Sequence, residues 1–231
     1  MRDALAQAGR RVAALFAPQQ EWRPVYFVAS PYKTATTTVG QALITLGAAK
    51  FQMRYKQGLL TDLRPTIREM NASVPKNADA RDYIAANADA LRDPFASVLP
   101  LLRSYDVFHD APLGHSHIHP FILKALESQA RFIWVNRPRK EWIASVRRWE
   151  QSHPDLYPRQ WEWDTEPGAR RKALRKFWDK RYRRFQRLAA DFPGDCLEMD
   201  VADLASWEVL AKFCDRPAPP GRPEARNVSR S

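Results

Sequence analysis

The most constraining stretch of this chain is a short apolar run, Val25–Ala29 (VYFVA), that ends in Ser30-Pro31 and passes through PYKTATTT into a helix-period segment. β-Branched and aromatic residues without alternation predict a strand buried on both faces, as in a parallel sheet. Thr38–Leu46 (TVGQALITL) then repeats Val39, Ala42, Leu43 and Leu46 at helical spacing, and Gly47 supplies the stop. Such a strand–turn–helix sets a helix start at the carboxyl end of a strand, where amides and dipole favour an anion. Lys33 adds a mobile cation, and Thr34, Thr36, Thr37 and Thr38 add hydroxyls in residues that suit a helix start better than its interior. A plainer explanation of the loop alone is that Thr34 or Thr36 caps the helix and Lys33 is solvated. No glycine lies between Pro24 and Val39, so the Walker A loop of nucleoside triphosphatases is absent.

Length and composition set the frame for that motif. The 231 residues allow one domain with a substantial core, and 45% hydrophobic with 27% charged residues belong to a globular chain. A net charge of +11 and a pI near 9.9 point to anionic partners, which nucleic acid, acidic lipid and phosphate-bearing cofactors all satisfy. Two cysteines, Cys196 and Cys214, fit a reducing, cytoplasmic setting. Met1–Ala17 lacks the continuous apolar core of a secretory signal, and no run of roughly 18 apolar residues predicts a membrane span.

Along the chain, Asp3–Phe16 is a weak amphipathic helix and Lys50–Tyr55 a candidate second strand. Thr61–Leu102 is helix-like but broken by Pro65, Pro75, Pro94 and Pro100, with Asp82–Leu91 its clearest helix. Strands are expected at Tyr105–His109, Arg131–Asn136 and Cys196–Met199. Helices are expected at Pro120–Ala130, Lys140–Trp149, Ala169–Ala190 and Trp207–Cys214. Alternating strands and helices predict an α/β fold, P-loop-like and three-layered, with a mostly parallel sheet of about five strands. One domain spans 1–231, with cap segments at 61–104 and 151–168 and a C-terminal loop at 215–231.

A second anion anchor follows another strand, where RFIWVN runs into RPRKEWIAS. Arg137 stands at the strand end and Ser145 eight positions on, inside the next helix. Arginine offers a planar fork of donors to a phosphate, and serine a hydroxyl from the helix behind it.

PYKTATTT resembles the 5′-phosphosulfate loop of the sulfotransferase family, whose usual form is P-K-[ST]-G-T-T. It carries Tyr32 between Pro31 and Lys33, and Ala35 at the glycine position; a methyl there calls for negative φ. Arg137 and Ser145 resemble the family's 3′-phosphate motif, a strand followed by R-x-x-x-x-x-x-x-S. WEVLAKFCDRPAPP is similar to the W-x-x-L-x-x-F-L-x-x-P close of one branch. The family's Arg-rich closing loop has Arg222, Arg226 and Arg230 as its nearest counterparts, with no R-K-G motif.

The resemblance implies 3′-phosphoadenosine 5′-phosphosulfate as donor, adenosine 3′,5′-bisphosphate as product, no metal, and a small-molecule, carbohydrate or lipid acceptor. Lys33, Thr34, Ala35, Thr36, Thr37 and Thr38 would hold the 5′ end, with Arg137, Ser145 and Arg226 at the 3′-phosphate. In the family a catalytic histidine begins an H-x-P turn after the strand equivalent to YDVFH. Counting back from Pro112 puts Asp110 there, with His109 just before it. Asp110 is preferred as base, because strand alternation turns His109 away, although an unperturbed carboxylate near ~3.9 is a weak one. An N-cap of the Pro112 turn is the plain alternative for Asp110.

His115, His117 and His119 alternate in GHSHIHP, more in the manner of a polar or substrate-lining loop than a metal site. The arginines and lysines of 169–190 read as a solvated face whose stems pack on neighbours, with steering of anions or acidic lipid contact as alternatives. Trp161 and Trp163 are candidates for an acceptor wall. Rival functions are a P-loop small-molecule kinase and a non-enzymatic anion- or nucleic-acid-binding module built on the basic helix.

Overall fold

The protein is described by a computed structural model over residues 23–157 and 162–224. The expected helix at Asp3–Phe16, together with Trp161, Arg226 and Arg230, lies outside the described residues. Five strands, β1 (Val25–Val28), β2 (Gln52–Met53), β3 (Val107–Phe108), β4 (Ala130–Asn136) and β5 (Cys196–Asp200), pair in the order β2-β3-β1-β4-β5. Every pairing is parallel. The α/β fold expected from the sequence is the one observed.

The sheet is buried on both sides because its strands are apolar in both phases. Phe27, Phe108, Phe132 and Trp134 enter one core, while Tyr26, Val28, Val107, Ile133 and Val135 enter the other. Phe27 stacks between Phe108 and Phe132 at centroid distances of 5.1 and 5.4 Å, tying three adjacent strands together. Each such buried side chain contributes roughly 1.5–3 kcal/mol.

The second face is covered by α1 (Thr36–Thr45) and α9 (Glu208–Cys214). The first is covered by α2 (Gln57–Ser73), α3 (Ala80–Asn87), α4 (Leu99–Ser104), α5 (Pro120–Leu126), α6 (Arg139–Ser152), α7 (Glu162–Thr165) and α8 (Pro167–Asp191). α2 runs unbroken through Pro65, where a break was expected. Thr61, whose carbonyl loses its helix donor there, is exposed, so water can take the place of the missing N–H. α3 begins at Ala80 because Asp79 caps it, accepting the Asp82 N–H at 3.0 Å.

β1 lies at the centre, and the chain leaves it first toward β2 and later, by way of β3, crosses to β4. The loops after β1 and β4 therefore meet where the strand order reverses, the usual crevice for a ligand in an open parallel sheet. Among the described residues no helix is long and apolar enough to cross a membrane.

Candidate active site

The loop after β1 is held from within. The Thr34 hydroxyl is buried, donates to the Pro31 carbonyl at 2.6 Å and lies 2.9 Å from Ser30 Oγ. The Thr34 side chain thus bonds within the loop itself and does not line the cavity onto which the loop opens. α1 begins at Thr36, two residues earlier than expected, and Ala35 stands at its N-cap, where a methyl side chain gives no capping bond. Neither Thr34 nor Thr36 caps the helix, so its positive end faces the space in front of the sheet.

Ala35 corrects the expectation of negative φ: it sits in the left-handed region at φ 65°, and Lys33 does so at φ 66°. Left-handed non-glycine residues cost roughly 1–3 kcal/mol and persist where the surroundings over-determine them. Here Thr34 fixes the turn from inside, and Arg137 Nη1 donates to the Lys33 carbonyl at 3.0 Å from the neighbouring strand end.

These loops open onto one cavity of about 1000 Å³, large enough for a nucleotide and a second molecule. Lys33, Ala35, Thr36, Thr37 and Thr38 line it from the first strand end, and Arg137 and Ser145 from the second. Lys33 is half-buried with its Nζ 4.4 Å above the Trp149 ring. Burial, then the charges of Arg137 and Arg148, lower its pKa from the ordinary lysine value. Arg137 Nε is buried without a hydrogen-bond acceptor; Glu141 is 3.8 Å away. An uncapped helix start, a crowded lysine and an orphaned guanidinium nitrogen together fit a polyanion.

Asp110 lines the same cavity with its side chain 33% exposed. Burial raises its pKa above the ordinary carboxylate range, opposed by the Ala111 N–H that it accepts at 2.8 Å. The Asp110 carboxylate thus faces the cavity and accepts the adjacent N–H, not the N–H two or three residues on that an N-cap takes. His109 is packed behind: a Cβ on Gly40 would meet its ring at 2.5 Å, and neither ring nitrogen has a hydrogen-bond partner.

The three alternating histidines part ways. His119 Nδ1 accepts the Phe121 N–H at 3.2 Å and starts α5, a local structural role. His115 and His117 line the cavity. His115 Nδ1 is 3.8 Å from Asp110 and its Nε2 3.3 Å from Thr36 Oγ1, so an imidazole joins the carboxylate to the anion loop. Burial lowers the pKa of all three, to about 3 for His117 and about 2 for His119.

Several site residues had no short-range signal. Glu150, 2% exposed, receives Tyr32 Oη at 2.7 Å, Trp163 Nε1 at 2.8 Å and the Arg170 guanidinium. It thereby ties the anion loop to α7 and α8. Trp163 is consequently a core residue and not an acceptor wall. The basic helix is likewise more than a solvated face: Arg170 joins Glu150, and Arg181 donates to the His115 carbonyl at 2.7 Å and stacks 3.4 Å above Phe177. Burial brings the Arg181 pKa down to about 9. The short turn Val201–Ala205, after β5, adds an apolar patch to the cavity. Its Asp200–Asp203 capping box is the one sequence cue that marks it. Arg222 is exposed near the end of the described residues.

No curated protein matches the chain. The pattern that defines the sulfotransferase domain matches residues 26–229, a span that includes the Pro31–Thr38 loop and the segment from Arg137 to Ser145. By that match the chain belongs to the sulfotransferase domain family.

Proposed function

We propose that this protein transfers a sulfuryl group from 3′-phosphoadenosine 5′-phosphosulfate to a hydroxyl or amine of a small acceptor, in a reducing compartment such as the cytoplasm. The observation that carries the reading is that two anion-binding segments, from adjacent strand ends, share one cavity with Asp110. In this reading Lys33 and Thr36–Thr38 hold the 5′-phosphosulfate, and Arg137 and Ser145 take the 3′-phosphate. Thr34 and Ala35 shape the loop.

The acceptor oxygen bonds to sulfur as the bond from sulfur to the 5′-phosphate oxygen breaks. Asp110 takes the acceptor proton, and Lys33 meets the charge that develops on the leaving phosphate. Burial makes Asp110 a stronger base than a solvated carboxylate, and His115 lies where it can orient it. His109, behind the wall, is the alternative base.

The test is mass spectrometry of an extract incubated with donor and enzyme, reading the gain of one sulfuryl group. Asp110→Ala is expected to lower turnover by roughly 100-fold or more while donor binding persists. The acid limb of the kcat/KM profile is expected above the ordinary carboxylate range, activity falling as pH drops through the raised pKa. Full turnover by Asp110→Ala eliminates Asp110 as base.

A further inference from the structure

The cavity holds more cations than one donor with two phosphate ends requires. Lys33, Arg137, Arg148 and Arg64 all line it. The first two belong to the two strand-end anchors. Arg148, one turn of α6 after Ser145, is close enough to Lys33 to lower its pKa and so lies on the donor side. Arg64 is different. It projects from α2 in the cap, is itself exposed, and lines the cavity near His117, whose ring lies 6.1 Å from that of His115. It has no ion-pair or hydrogen-bond partner among the described residues; of the cavity's carboxylates, Asp110 accepts the Ala111 N–H and Glu141 stands 3.8 Å from Arg137 without a hydrogen bond to its Nε.

The wall on that side is apolar and aromatic. Tyr55 and Leu156, at 41% and 44% exposure, stand among the largest exposed apolar side chains and line the cavity with Leu60, Tyr157 and Phe177. Tyr157 stacks on Tyr32 at 6.0 Å, and Phe177 stands nearly perpendicular to Tyr32 at 6.2 Å, which gives an aromatic corner next to Lys33. An apolar ring fits against such a corner, and an unpaired guanidinium on the same cavity selects a carboxylate or a similar anion.

We infer that the acceptor is an apolar, ring-bearing alcohol or phenol that carries an anionic group, held by Arg64 while its hydroxyl reaches Asp110. This rests on the sulfotransferase reading and narrows its acceptor. A neutral sugar, which can stack a C–H face on aromatic rings but carries no anion, leaves Arg64 unpaired.

The experiment compares 4-hydroxyphenylacetate, its neutral amide and glucose as acceptors, in the native chain and in Arg64→Gln and Arg64→Lys. The aryl carboxylate is expected to exceed its amide by about 10-fold in kcat/KM, the scale of one charge-assisted contact. Arg64→Gln is expected to shrink that ratio below about 2-fold, and Arg64→Lys to keep most of it. Equal use of carboxylate and amide by the native chain, a preference that survives Arg64→Gln, or glucose as the best acceptor overturns the inference. Adenosine 3′,5′-bisphosphate binding, measured on the same preparations, separates the two readings. Binding without turnover of any aryl acid rejects the acceptor class alone, and absence of binding rejects the donor reading itself.

Discussion

The two halves of the cavity are made in different ways. The side proposed for the donor is built on strand ends: Arg137 follows β4 directly, Lys33 lies five residues beyond the end of β1, and Arg137 donates to the Lys33 carbonyl. The side proposed for the acceptor is built from cap helices and loops, and is tied together by side chains that reach across long stretches of sequence. Glu150 is the main example, joining Tyr32, Trp163 and Arg170. A sheet end specifies position through backbone bonds that many sequences can make. A buried carboxylate specifies it through a few partners, and losing one leaves a charge unmatched.

The largest expected effect breaks the cap side. Arg170→Ala leaves Glu150 buried with its guanidinium partner removed and is expected to cost about 3–5 kcal/mol, read as a lower urea midpoint. Glu150→Gln should cost less, because it leaves no buried carboxylate unpaired, although its amide N–H then faces donors where Glu150 accepts. If both variants unfold like the native chain, Glu150 is not what binds the cap to the loop.

Next come the donor anchors. Lys33→Ala and Arg137→Ala are each expected to weaken adenosine 3′,5′-bisphosphate by about 2–3 kcal/mol, roughly 100-fold; Lys33→Ala should barely move the midpoint, and Arg137→Ala should lower it by about 1 kcal/mol through the lost bond to the Lys33 carbonyl. Arg64→Ala, on the other side, is expected to leave that affinity within about 2-fold. An equal loss from all three would erase the distinction between the halves.

A third test uses pH. His115, His117 and His119 have pKa values lowered by burial, so unfolding takes up protons below about 6.5 and stability falls as pH drops through that value. Each contributes up to about 1.4 kcal/mol per pH unit. His119→Asn, which keeps an acceptor for the Phe121 N–H, is expected to reduce the slope by about a third.

The smallest effect is at Ala35. Ala35→Gly relieves the left-handed strain while loosening the unfolded chain, and a net gain of about 1 kcal/mol or less is expected in the midpoint. A loss there would mean the methyl group has packing value of its own.

What could be read from sequence follows the same division. VYFVA, RFIWVN and the segments after them carry period and motif within a few residues, so the strands, α1, Arg137 and Ser145 were legible. The φ of Ala35 was not, because it is imposed by Arg137 and Thr34 and not by local preference. Trp163 was misread as a wall because its partner, Glu150, lies in another helix with no spacing signal. Arg181 was read as part of a solvated face for the same reason: only its tertiary contact with the His115 carbonyl tells it from a solvated arginine.

The most direct test of the central claim is a calorimetric titration of the native chain, without Mg²⁺, using adenosine 3′,5′-bisphosphate and then ATP. The account predicts saturable heat with the bisphosphate, much weaker binding of ATP, and loss of the bisphosphate signal in Lys33→Ala and Arg137→Ala. No heat and no thermal shift with the bisphosphate, or tighter binding of ATP, would contradict it.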